Sequence, residues 1–362
     1  MQSQRPRSGA AALRERLHNL CGTHATCGAA AASKHAELPV NQPGASGDAG
    51  LGTLGKIRRS VKAFTEELTR PLGPAKPSEE APHAVPKLGI ALGGGFARGL
   101  VHVGVLKVLE EEKIPIAYLA GTSVGAVIGA AYCSGVGAKE LEEIAHLVRF
   151  SSFARWTLSR YGLATNDRMT GFLEKLVKAK TFEELKIPFA ISATDFVTGE
   201  PVVFKSGPLI DPIRASCAYP GMFLPVNVNG RLMVDGLLAH SVPAQPLREM
   251  GADRVLAIYL SAHWVQKAPR HIFDVIGQCF SIAESKMCQL WKVHADLVLE
   301  PDCNGCTYDG FERAKELIRA GEQAARAVMP QIRTWFEQPQ TQVVTSPAKG
   351  GGAPSTAPAL AK

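Results

Sequence analysis

Gly121-Thr122-Ser123-Val124-Gly125 separates a short apolar run, Pro115 to Ala120, from a stretch of small residues at helical spacing. Glycines two positions before and after a serine remove the Cβ atoms that would crowd a sharp strand-to-helix turn. The pentapeptide therefore reads as an elbow that projects one hydroxyl from the end of a buried strand. That hydroxyl then stands at a helix N-terminus, where developing negative charge is favoured. Three fixed positions in five are a weak signal alone, so the flanking sequence has to decide.

Upstream, Leu88 to Leu92 is a strand, and Gly93-Gly94-Gly95-Phe96-Ala97-Arg98-Gly99 breaks it into a helix running from Ala97 to Glu112. Consecutive glycines let a backbone approach a ligand closely and point several N–H groups into one space. Such a cradle suits a phosphate or the oxyanion of an acyl-transfer intermediate. A dinucleotide fingerprint competes, but its third glycine comes one residue late and Ser123 would go unused; a plain glycine turn without ligand also fits. In a parallel β-α-β unit the glycine loop and the elbow emerge at the same carboxyl edge of the sheet.

A serine needs an adjacent base, and the candidates are His102, His240, Asp195 and Asp235. His102 falls inside the first helix, away from its mouth. Asp235-Gly236 closes a strand at Arg231 to Val234, which brings its carboxylate to a strand end, although an Asp-Gly is also an ordinary turn. Further strands are expected at Phe189 to Thr194, Pro201 to Phe204, Val255 to Leu260 and Asp296 to Leu299. Helices are expected at Glu140 to Phe150, Asn166 to Ala179, Pro212 to Ala218 and Phe311 to Val328. Strands alternating with helices indicate an α/β sheet covered on both faces.

The loop GGGFARG, the elbow GTSVG and Asp235-Gly236, in that order, resemble the patatin-like phospholipases, above all their bacterial branch. The resemblance runs from Lys87 to Met329 and includes Val101-His102-Val103-Gly104-Val105-Leu106, Ala193-Thr194-Asp195, Arg214-Ala215-Ser216, Pro220-Gly221-Met222-Phe223 and Val242-Pro243. It implies a three-layer α/β sandwich with a mostly parallel central sheet. It also implies a Ser-Asp dyad with Ser123 as nucleophile and Asp235 as base, an oxyanion hole from Gly93, Gly94 and Gly95, and a supporting role for Arg98 and Gly99. The family hydrolyses acyl esters of glycerophospholipids and related lipids through an acyl-enzyme, without calcium or another cofactor. One departure stands out: Gly or Ala usually follows the family's Asp-Gly, whereas Leu237 stands here. Three rival readings stand beside it: an α/β-hydrolase triad completed by His240, His263, His271 or His294; from a different class, a lipid-sensing module with a vestigial site; and acyl transfer to an alcohol, which uses the same residues.

At 362 residues, with 46% hydrophobic and 20% charged, the chain can bury a sizeable core. Its net charge of +7 is spread without basic blocks, which argues against nucleic acid and gives a mild attraction to anionic lipid surfaces. Eight scattered cysteines point to a reducing, cytoplasmic setting; only Cys303-Asn304-Gly305-Cys306 has redox-pair spacing, and no second pair completes a metal site. The N-terminus lacks the apolar core of a secretory signal. No charged residue lies between Lys113 and Lys139, long enough for a membrane span, but Pro115 and the glycines and polar residues there favour a buried strand, turn and helix. Residues 1–50 read as disordered, 51–70 as a basic amphipathic helix, 71–86 as a proline-rich linker, 87–330 as the catalytic domain and 331–362 as a disordered tail. The 51–70 helix has two readings, docking on the folded domain or peripheral contact with a membrane.

Overall fold

The computed structural model describes residues 85–159, 162–261, 272–306 and 310–337. The expectations for residues 1–84 and for the end of the tail lie outside them. Along the chain run β1 (Leu88–Leu92), α1 (Val101–Glu111), β2 (Ile116–Thr122), α2 (Val124–Cys133), α3 (Ala138–Ala145), β3 (Arg155–Ser159), β4 (Gly162–Thr165) and α4 (Asp167–Leu176). There follow β5 (Phe189–Asp195), β6 (Pro201–Phe204), α5 (Ile210–Ser216), β7 (Val226–Val228), β8 (Arg231–Asp235), α6 (Ala244–Glu249), β9 (Arg254–Ile258), α7 (Ile272–Lys292), β10 (Leu297–Leu299) and α8 (Ala314–Thr334).

The main sheet has the order β10-β9-β1-β2-β5-β8-β7, with β6 also paired to β5. From β10 to β5 all neighbours are parallel, while β6 and β8 run antiparallel to β5. β1 and β5 are buried along their whole length; β1 accordingly reads as a continuous apolar run, while β5 also buries Ser192, Thr194 and Asp195. Ala91, Ala120, Ala190 and Ala257 pack on one face with Leu247 of α6 and Cys288 and Trp291 of α7. On the other face α2 approaches so closely that a Cβ on Gly129 would lie 2.5 Å from the Phe189 ring. This is the expected three-layer α/β sandwich. The charge-free stretch after Lys113 is β2, the elbow and α2, and no described helix is long and apolar enough to cross a membrane.

The strands near the site match expectation to within two residues at each end, and the helices differ more. Phe96–Leu100 is a 3-10 turn that precedes α1, so the glycine loop does not lead straight into an α-helix. α8 continues through Pro330 to Thr334 with Ile332 buried, past the boundary expected at 330. The β3–β4 hairpin, β7, α6 and α7 were not anticipated. α7 hides from a periodicity search because Ile282 and Leu290 are exposed while Ser281 and the largely covered Glu284 turn inward, leaving no clean apolar stripe.

α1 and α8 cross in backbone contact. A Cβ on Gly104 would lie 2.0 Å from the Ile318 carbonyl oxygen, and one on Gly321 would lie 2.0 Å from that of Val101. Neither obstacle is a movable side chain, so Gly104→Ala or Gly321→Ala has to separate the helices. Overpacking of this kind costs about 1–3 kcal/mol, and thermal unfolding followed by circular dichroism is expected to show Tm lower by several degrees. An unchanged Tm in both variants would refute the crossing.

Candidate active site

Ser123 has φ +56° and ψ −123°, a backbone region that side-chain-bearing residues rarely enter. Such strain costs on the order of 1–3 kcal/mol and persists only where neighbours enforce it. Here the Ser123 N–H donates to Ser216 Oγ at 2.8 Å, and Ser216 Oγ donates to the Ser192 carbonyl at 2.7 Å. The Ser123 carbonyl in turn accepts from the N–H groups of Ala126 and Val127 at the start of α2. Both elbow glycines are needed for close approach: a Cβ on Gly121 would meet the Gly125 oxygen at 2.3 Å, and one on Gly125 the Leu92 oxygen at 2.2 Å. Sequence reasoning gave Ser216 no role; its only signal was a place in the run Arg214-Ala215-Ser216.

Parallel pairing of Leu92 with Gly121 brings the glycine loop beside the elbow. A Cβ on Gly94 would lie 3.3 Å from that of Ser123. Three oxyanion donors were expected from this loop, but two are engaged within the fold. Gly93 N–H donates to the Ile258 carbonyl and Gly94 N–H to the Ser241 carbonyl, each at 3.1 Å. Gly95 N–H has no protein acceptor among the described residues and is the glycine donor left for a ligand. Gly99 lets the 3-10 turn touch Val124, and Arg98 is buried with its guanidinium donating to the Ser261 carbonyl at 3.3 Å.

Asp235 reaches the same place through strand register. Thr122 pairs with Ser192, and Ala193, one residue on, pairs with Asp235. Its carboxylate is wholly buried; Oδ1 accepts from Leu237 N–H at 3.0 Å, and Oδ2 has no hydrogen-bond partner among the described residues. Burial pushes its pKa up to about 7, against the opposing pull of the Leu237 N–H and the neighbouring Ser123 hydroxyl. The other candidate bases lie elsewhere. Asp195 holds a turn through the N–H groups of Val197 and Thr198 and pairs with Arg231 at 2.7 Å. His240 Nδ1 lies 3.2 Å from Ser192 Oγ, His102 Nε2 lies 2.8 Å from the Gly93 carbonyl, and neither histidine lines a cavity at Ser123. His263 and His271 fall outside the described residues. Cys303 and Cys306 are free thiols, and burial pushes Cys303 up to about 11.

Ser123 stands where two unlike cavities meet. One, of about 810 Å³ including its open mouth, is apolar apart from Ser123 and Cys217, with Leu100, Val127, Phe172, Phe223 and Phe311 among its walls. The other, about 430 Å³, brings together Gly95, Arg98, Asp235, Leu237, Ser281 and Glu284. Burial raises Glu284 to about 7, and the Arg98 charge pulls it back. The unanticipated α7 thus supplies one wall of the polar cavity.

Residues 90–248 match the family model described as patatin-like phospholipase. This stretch is similar to a patatin-like phospholipase domain. An uncharacterized NTE family protein of Mycobacterium tuberculosis is 35% identical over 184 residues, 49% of this chain and 49% of its own length. Lysophospholipase NTE1 of Mycosarcoma maydis is 31% identical over 179 residues, 47% of this chain and 9% of its own. The chain therefore spans about half the length of the first of these relatives and far less of the second. Among solved structures, VipD from Legionella pneumophila superposes on 68% of this chain and 67% of its own at a TM-score of 0.39 and 12% identity, too loosely to bear on the site.

The patatin-like domain carries its buried carboxyl at a measurable cost. With Asp235 raised to about 7 in the folded state and near 4 when unfolded, the native protein binds more protons between those values. Its contribution to stability is therefore greatest below pH 4, falls as pH rises from about 4 to 7, and levels off above. Asp235→Asn removes that dependence, so urea unfolding at pH 8 and pH 5 is expected to show the variant gaining on wild type at the higher pH. An unchanged difference between the two proteins at both pH values would count against the raised value.

Proposed function

We propose that the chain is a serine acyl hydrolase that cleaves acyl esters of phospholipids, lysophospholipids or related lipids through Ser123 and Asp235. The observation that carries this reading is the strained Ser123, placed between an apolar cavity and a polar one that holds a buried carboxylate. The acyl chain occupies the apolar cavity and the alcohol portion the polar one. Ionised Asp235 accepts the hydroxyl proton as Ser123 Oγ bonds to the ester carbonyl carbon, and Gly95 N–H donates to the oxygen that becomes negative. Collapse of the tetrahedral intermediate breaks the ester C–O bond. The departing alcohol takes the proton from Asp235 and leaves an acyl-enzyme. Water repeats the sequence, with Asp235 again accepting a proton, and releases the fatty acid and free Ser123.

Three outcomes test the reading. Ser123→Ala and Asp235→Ala are each expected to lower kcat on lipid and short-chain esters by at least about 10³-fold, and a fluorophosphonate is expected to label wild type at Ser123. Wild-type rates in Ser123→Ala would sink the proposal. Because the base must be ionised, kcat/KM is expected to rise with pH through about 7; a profile flat from pH 5 to 8 contradicts this assignment. Val127→Trp, which fills the apolar cavity, is expected to slow long-chain esters roughly 10–200-fold relative to acetyl esters, measured as the ratio of kcat/KM values.

Residues 51–70 fit the same function as a basic amphipathic contact with lipid surfaces. Deleting residues 1–86 is then expected to abolish binding to anionic vesicles in a sedimentation assay. Retained binding would return that stretch to a role in docking on the folded domain.

A further inference from the structure

The peptide unit joining Gly93 to Gly94 is held at both ends. Its N–H donates to the Ser241 carbonyl at 3.1 Å, and its carbonyl oxygen lies 2.8 Å from His102 Nε2. His102 occupies the first turn of α1 and is wholly buried. Among the described residues it is the only side chain that hydrogen-bonds the backbone of Gly93, Gly94 or Gly95. A carbonyl can only accept, so Nε2 carries the hydrogen and the neutral ring leaves Nδ1 bare. Nδ1 is buried and has no hydrogen-bond partner among the described residues.

A buried nitrogen without a partner is unfavourable, and an apolar side chain of similar size would avoid it. What the imidazole supplies that a leucine would lack is the Nε2–H. Burial lowers the ring's pKa to about 4, so the ring stays neutral at physiological pH and this donor is always present. The two glycines explain why a donor is needed here. A peptide unit between glycines rotates with little steric resistance, and the Gly95 N–H belongs to the next unit along. If the Gly93–Gly94 unit turned, Gly94 would turn beside Ser123 and swing the Gly95 N–H away from the reacting carbonyl.

We propose that His102 is a positioning residue of the oxyanion loop: its Nε2–H locks the Gly93–Gly94 peptide, so that Gly95 N–H stays aimed at the oxygen that becomes negative on acylation of Ser123. The role rests on the acyl-hydrolase reading above. It transfers no proton, and the bond persists through the cycle. It also gives a function to the histidine that lies closest in sequence to the glycine loop without making it a base.

Steady-state kinetics on a soluble butyrate ester, with His102→Leu and His102→Gln, test the proposal. His102→Leu is expected to lower kcat roughly 10²-fold, as for loss of an oxyanion donor, with KM within about threefold. A trifluoromethyl ketone, whose adduct with Ser123 carries an oxyanion, is expected to weaken in parallel, while the binding of a long-chain alcohol is unchanged. The glutamine amide restores a donor, so His102→Gln is expected to recover much of the rate. Equal losses in the two variants, or slower turnover without weaker ketone binding, would overturn the proposal. If His102→Leu does not fold, ¹⁵N NMR of histidine-labelled wild type decides: hydrogen on Nε2 supports the lock and hydrogen on Nδ1 refutes it. A wild type inert to esters and fluorophosphonate would instead defeat the acyl-hydrolase reading, and the role of His102 with it.

Discussion

The left-handed backbone of Ser123 is the constraint from which the rest of the site follows. An L-residue held at φ +56° relaxes unless its peptide groups are fixed from outside. Ser216 does this by bridging the Ser123 N–H to the Ser192 carbonyl, which ties the elbow to α5 and β5 at once. The same two elements set Asp235, through its pairing with Ala193 in β5 and its N–H bond to the Ala218 carbonyl just after α5. Ser123 and Asp235 therefore share one frame.

Electrostatics divides the surroundings as sharply as geometry does. A carboxylate near its ordinary pKa is a poor match for a serine hydroxyl, and burial narrows that gap by raising Asp235 to about 7. Burial also makes ionisation costly, so the domain trades stability above pH 4 for basicity at its working pH. The apolar lining keeps the dielectric low at the same junction, which strengthens each charge interaction there. Arg98 from the 3-10 turn and Glu284 from α7 face the polar cavity from two different elements.

Much of this was legible in the sequence. Apolar runs that end in glycine placed β1 and β2, and the order of loop, elbow and Asp-Gly selected the fold and brought Ser123, Asp235 and the glycine loop to one sheet edge. Hydrogen bonding within the loop was not legible. Three glycines look like three equivalent donors, yet the carbonyls that occupy Gly93 and Gly94 come from Ile258 and Ser241, well over a hundred residues away. α7 was hidden because its inward face carries Ser281 and Glu284, whose burial serves the cavity and spoils the apolar period. His102 looked misplaced because the helix was expected to begin at Ala97; it begins at Val101, which leaves His102 in its first turn beside the glycine loop.

Leu237 separates what the Asp-Gly turn requires from what it tolerates. Gly236 has no freedom, since a Cβ there would lie 2.3 Å from the Ser192 oxygen. The next residue acts on Asp235 through its backbone N–H, which holds Oδ1 at 3.0 Å whatever side chain follows. The leucine side chain is half-buried and lines the polar cavity. Replacing a small residue with leucine at this point therefore leaves the base in place and narrows the space beside it. The departure from Gly or Ala at this point acts on the room in the polar cavity, while the position of the Asp235 carboxylate is set by the backbone.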